Sequence, residues 1–295
     1  MIEHLVLSGG ANVGFAFAGV LGTLIRNGIL NVENIKTIHG VSVGAISAFY
    51  FTVGYPIENL EKYLIERPWK DLYKLDFPSV VRAVQDGGMY EKDTILRAME
   101  PLLKGKDLSI DITLEEYYEY NKKELHIYAT EYSQLKLIDI SYKTHPHWKL
   151  VDAIYASCCL PVLFVPFFHE NQYFIDGAVL MNYPLKPCLD QGHDPDTIMG
   201  IYHNTNKEVK ELRMSSPFLA SSTGYKLFEY IMSLSLKMWT QVKHEKTEKE
   251  KQVKHQIQIM CPSDPLSIFK SFESREERER LYKIGCDAVS QLEDK

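Results

Sequence analysis

Cysteine is scarce in this 295-residue chain: five residues, Cys158, Cys159, Cys188, Cys261 and Cys286, with no C-x-x-C pair among them. That excludes a disulfide scaffold and leaves no zinc or redox signature in the spacing. An odd number of thiols suits a reducing compartment. Basic residues are not in excess either. Lys and Arg number 33 against 39 Asp and Glu, a net charge of −6, which argues against a nucleic-acid partner held by bulk charge. No apolar run reaches the roughly 20 residues that a spanning helix needs. The longest weakly polar stretches, Ala11 to Ile25 and Val41 to Ile57, are broken by glycine and polar residues. No basic segment with a cleavage site opens the chain, which starts directly on strand-like Ile2 to Leu7. Repeats and low-complexity tracts are missing as well. What is present is 45% hydrophobic and 12% aromatic residues, enough for a large core. The expectation is a cytoplasmic globular protein without a signal peptide or transmembrane segment.

The first 55 residues read as β-α-β-α. Leu5-Val6-Leu7 is a short apolar run, and a helix is expected from Gly14 to Asn27, with Gly28 at its C-terminal cap. Ile35 to His39 is a second strand, broken at Gly40, and a second helix follows from Val43 to Val53. Short apolar strands alternating with helices predict a parallel sheet covered on both faces, an α/β fold of three layers, α/β/α. Residues 58–105 read as amphipathic helix with breaks at Pro68, Pro78 and Gly87-Gly88. Leu125 to Thr130 and Leu135 to Ile140 read as two strands joined by a turn, and Val151 to Cys159 as a helix. Further strands are expected at Tyr173-Phe174-Ile175, Thr197 to Tyr202 and Ile257 to Met260, with a last helix from Arg275 to Leu292.

Gly40-Val41-Ser42-Val43-Gly44 is a G-x-S-x-G pentapeptide between a strand and a helix. In that place a sharp turn lifts the serine hydroxyl out of the sheet. The amide of Val43 and the N-terminus of the following helix then face a developing oxyanion. A glycine-rich loop, Gly9-Gly10-Ala11-Asn12-Val13-Gly14, follows the first strand. It approximates a dinucleotide fingerprint, with Glu33 about twenty residues on. Alternatively, its backbone N–H groups form an oxyanion hole beside Ser42, which accounts for both loops with one function. Asp176, in Tyr173-Phe174-Ile175-Asp176-Gly177-Ala178, stands at the end of an apolar strand, where burial would raise its pKa and make it a base. An α/β-hydrolase would instead draw on a histidine: His193, His203, His244 or His255.

These three pieces in this order resemble the patatin-like phospholipases. The segments Ala153 to Phe164 and Asp176 to Pro184 are similar to that family's small-residue segment and its Asp-Gly-x-x-x-x-Asn-x-Pro motif. The resemblance implies a patatin-like catalytic core over residues 4–190, with 191–295 an extension of the same domain. It implies a lipid acyl hydrolase in which Ser42 is the nucleophile and Asp176 the proton acceptor. The oxyanion hole is then built by Gly9, Gly10 and Ala11, with no cofactor and no metal. Its substrate would be a phospholipid or other fatty-acyl ester, met in transient contact with a membrane surface. Two positions depart from the family, which usually has glycine at Ala11 and a basic residue at Val13. Ala11 disturbs the hole only if its φ is positive. A non-catalytic lipid- or nucleotide-binding module is the reading from another class.

Three peripheral features bear on a lipid substrate. Leu227 to Trp239 reads as a largely apolar helix, a core helix or else an acyl-site wall or interfacial helix. Lys243 to Lys254, with five Lys and three Glu, reads as a solvated helix face. Phe77-Pro78 and Gly87-Gly88 are candidates for a lid.

Overall fold

The computed structural model describes residues 1–203 and 247–292. The expected helix at Leu227 to Trp239 and His244 lie outside the described residues. Strands β1 (His4–Leu7), β2 (Thr37–Val41), β4 (Glu124–Glu131), β9 (Ile198–His203) and β10 (His255–Ile259) run parallel in the order β10-β9-β1-β2-β4. Antiparallel strands β5 (Lys136–Ile140), β8 (Gln172–Asp176) and β7 (Phe167–His169) complete an eight-stranded sheet. A separate two-stranded sheet joins β3 (Gly88–Tyr90) to β6 (Val162–Phe164).

Among the described residues the helices are α1 (Gly14–Arg26), α2 (Val43–Thr52), α3 (Ile57–Glu66), α4 (Phe77–Asp86), α5 (Lys92–Lys104), α6 (Leu114–Asn121), α7 (Leu150–Cys158), α8 (Leu185–Asp190), α9 (Glu248–Gln252), α10 (Pro265–Glu273) and α11 (Arg275–Ala288). They cover both faces of the sheet. Leu5 and Leu7 of β1 point into the main core with α1 and α2, while Val6 between them packs against Leu185, Cys188 and Leu189 of α8. Every residue of β1, β2 and β4 is buried, as central parallel strands require. Among the described residues, no helix is long and apolar enough to cross a membrane.

Three local expectations shift. The second strand starts two residues later than its apolar run and continues through Gly40, because its ladders to β1 and β4 both extend to that residue. Pro78 does not interrupt a helix: it lies in the first turn of α4, which Asp76 caps through the amide of Ser79. Gly87, with φ of 80°, ends that helix, and Gly88 enters β3 against β6, so the glycine pair is anchored in a ladder.

The geometry of β4 positions everything that follows. β5 pairs with residues 127–131 of β4, overlapping both β2, on 124–128, and β8, on 129–131. A strand has two edges, so β2 and β8 must share the edge that β5 leaves free. They approach along it from opposite directions, Val41 paired with Tyr128 and Asp176 with Ala129. The chain leaves β2 at Ser42 and β8 at Gly177, so the two strand ends meet.

Candidate active site

Ser42 holds a strained turn, φ 53° and ψ −125°, between β2 and α2. Such a backbone costs a non-glycine residue about 1–3 kcal/mol and persists only where its surroundings fix it. Here they do. The Ser42 amide donates to Ser157 Oγ at 2.8 Å, and that hydroxyl donates to the Tyr128 carbonyl at 2.6 Å. One side chain from α7 thus ties the turn to β4. Gly44 lets the turn close against β1, since a Cβ there would lie 2.4 Å from the Leu7 carbonyl oxygen.

Asp176 is held by its backbone: its amide donates to Cys159 O at 3.0 Å and its carbonyl accepts from Thr130 Oγ1 at 3.1 Å. Its side chain is 1% exposed. Oδ1 accepts from the Ala178 amide at 2.9 Å, whereas Oδ2 is buried without a hydrogen-bond partner. Burial drives its pKa from the ordinary 3.8 up to about 7, against the opposing pull of the Ser42 hydroxyl and the Ala178 amide. The hydroxyl therefore stands near enough to bias the carboxylate without a formed bond to Oδ2. Gly177 follows because a side chain there would strike the Tyr128 carbonyl.

The glycine-rich loop comes directly alongside. A Cβ on Gly9 would stand 3.3 Å from Ser42 Cβ and 3.4 Å from Ala178 Cβ. The amides of Gly10, Ala11 and Val43 have no acceptor among the described residues. Gly9 corrects the expectation: its N–H already donates to the Asn182 carbonyl at 3.0 Å, so it shapes the loop without offering a donor. Gly14 gives room to Val43 and Gly40 to Ala45, the loops fitting tightly on each other. Ala11 adopts φ of 51°, the condition under which the departure from glycine matters. Val13 is buried against Gly10 and brings no charge.

Ser42, Val43 and Ala11 open onto an apolar cavity that continues past Ile46, Tyr50, Leu64, Trp69, Ile95, Met99 and Phe272. No described histidine lines it. His203 donates its backbone amide to Ser8 Oγ and bonds the Cys261 carbonyl through its ring, and His193 lies on the α8 side of the sheet. Spacing did not reveal Ser157 or Asn182 as positioning residues, although both fall in segments that carry the family resemblance.

A family model described as Patatin-like phospholipase matches residues 5–189. A probable lipid hydrolase of invertebrate iridescent virus 6 is 31% identical over 215 residues, 70% of this chain and 67% of its own. An uncharacterized protein of Acanthamoeba polyphaga mimivirus is 28% identical over 98% of this chain and 93% of its own. Among solved structures, VipD from Legionella pneumophila superposes with a TM-score of 0.53 at 18% identity, over 99% of this chain and 67% of that one. The type III effector ExoU gives 0.51 at 14%, over 99% of this chain and 53% of that one. These two show the shared fold: a mostly parallel sheet flanked by helices. The chain belongs to the patatin-like phospholipase family, a family of lipid hydrolases.

Proposed function

We propose that the protein is a phospholipase A or lysophospholipase working through a Ser42–Asp176 dyad. Ser42 Oγ attacks the ester carbonyl carbon while its proton passes to Asp176 Oδ2. The oxyanion accepts hydrogen bonds from the amides of Gly10, Ala11 and Val43. The alcohol leaves with the proton from Asp176, and the acyl group stays on Ser42. Water then attacks, Asp176 again takes the proton, and the fatty acid departs as the serine is restored. The acyl chain occupies the apolar cavity. Helix α4 supplies the lipid-facing contact, since Phe77 is 73% and Val84 81% exposed.

The observation that carries this reading is the unpartnered Oδ2 of a buried carboxylate beside a serine in a strained turn at the cavity wall. A fluorophosphonate should label Ser42, and defined phospholipids should yield free fatty acid and lysolipid. Ser42→Ala should lose both; full esterase activity in that variant would end the proposal. We read the described residues after 190, 191–203 and 247–292, as part of the same domain, because β9 and β10 extend the sheet and α11 packs on α1.

A further inference from the structure

The face of the sheet covered by α8 carries a second cluster of chemistry-bearing side chains. His39 of β2, Cys188 of α8 and His193 in the turn after it bring one ligand atom each to within 4.8 Å of one another. Four histidines gather there. The His4 ring stacks on His193 at 3.6 Å and the His126 ring on His39 at 4.4 Å.

The two inner rings are each held by one nitrogen. His39 Nδ1 bonds the Tyr128 hydroxyl at 2.8 Å, while His39 Nε2 is fully buried with no partner. His193 Nε2 bonds Gln191 Oε1 at 3.1 Å, and no described residue bonds its Nδ1. Metal-ligating imidazoles share this pattern, one nitrogen held by a hydrogen bond and the other left for the ion. The Cys188 thiol is buried and makes no hydrogen bond among the described residues. A buried ring nitrogen without a hydrogen-bond partner is unfavourable in an apolar interior, and this ring lies beside a soft ligand and a second imidazole.

We propose that His39, Cys188 and His193 bind a divalent cation of the zinc class, with water as the fourth ligand. One thiolate and two imidazoles suit zinc, at about 2.3 Å to sulfur and about 2.0 Å to nitrogen. The ligand atoms need to draw together by at most about 1.5 Å to reach a tetrahedral site. Binding releases the thiol proton as the sulfur–metal bond forms. Glu124 and Asp139, which both bond the His126 ring, place carboxylates nearby. Tyr128 joins this site to the other: its hydroxyl holds His39, and its carbonyl anchors Ser157 beneath Ser42. The cation would clasp α8 and its turn onto the strand that ends at Ser42.

The test is spectroscopic and independent of hydrolysis. The full chain, stripped of metal by a chelator, is titrated with Co²⁺ and then with Zn²⁺. One equivalent of cobalt should produce a thiolate charge-transfer band and four-coordinate visible bands, displaced by one equivalent of zinc. Cys188→Ala should abolish the charge-transfer band. His193→Ala, at a half-exposed turn that need not affect folding, should weaken cobalt binding, and Gln191→Ala should weaken it about 10-fold to 100-fold. No band in the wild-type protein, a band that survives Cys188→Ala, or unchanged affinity in His193→Ala would each overturn the proposal.

Discussion

Asp176 and Glu277 both lie almost completely inside this molecule, at 1% and 4% exposure, and their surroundings treat them oppositely. Glu277, on α11, is gripped by the Arg280 guanidinium and by Lys270, which hold its pKa below the ordinary range. Among the described residues Asp176 has no cation, one amide donor and one idle oxygen, and its pKa rises to about 7. The partner, more than the depth of burial, decides whether a carboxylate is a brace or a base. A brace is ionised at every working pH. A base must be able to change state, and only Asp176 is placed to do so near neutrality.

The contrast breaks most sharply on activity. Asp176→Asn should lower kcat on a fatty-acyl ester at least about ten-thousand-fold, in the range of catalytic-group deletions elsewhere. Glu277→Gln should leave it within the error of the assay. The pH profile comes next. If Asp176 is the base proposed above, it acts only when ionised, and kcat/KM should fall about tenfold per pH unit below about 7. A profile that stays flat down to pH 5 would remove Asp176 as the base.

The same group has an opposite effect on stability. Its folded pKa lies above its unfolded value of 3.8, so the folded state holds the extra proton between about pH 4 and 7. Stability from this group is lost as pH rises through that window. Asp176→Asn should therefore be more stable than wild type at pH 8, by up to about 4 kcal/mol, with the gap closing near pH 4 in thermal melts. Glu277→Gln should destabilise by about 1 kcal/mol, since Arg280 and Lys270 are about half exposed and screened. The smallest effect belongs to the glycine-rich loop after β1. Ala11→Gly removes a left-handed alanine but gains unfolded-state freedom, so denaturant melts should shift by less than about 1 kcal/mol with turnover retained.

Much of this was legible in the chain itself. The elbow at Ser42, the strand before Asp176 and the adjacency of β1 and β2 followed from local signals: a glycine-flanked serine, apolar runs and turn residues. Other features were not. β3 and β6 are three residues each and exist only through pairing across more than seventy positions, so no periodicity could announce them. The positive φ of Ala11 depends on how the loop packs between α2 and Asn182. Gly9 looked like a donor until Asn182, far downstream, was found to occupy its amide. The role of Ser157 is likewise invisible without the carbonyl of Tyr128 beneath it. The His39, Cys188 and His193 cluster escaped for the same reason, its members coming from a strand, a helix and a turn.

Hanging Ser42 and Asp176 on one edge of β4 insulates them from the excursions in between. Insertions or deletions in the helical stretch between Val43 and Glu124, or in the segment from Tyr132 to Glu170, can change the walls and mouth without moving serine relative to aspartate. A slip of a single residue in either ladder would instead turn one of them to the opposite face. Variation among relatives should accordingly accumulate as length in the excursions, while the count of residues along this edge stays constant.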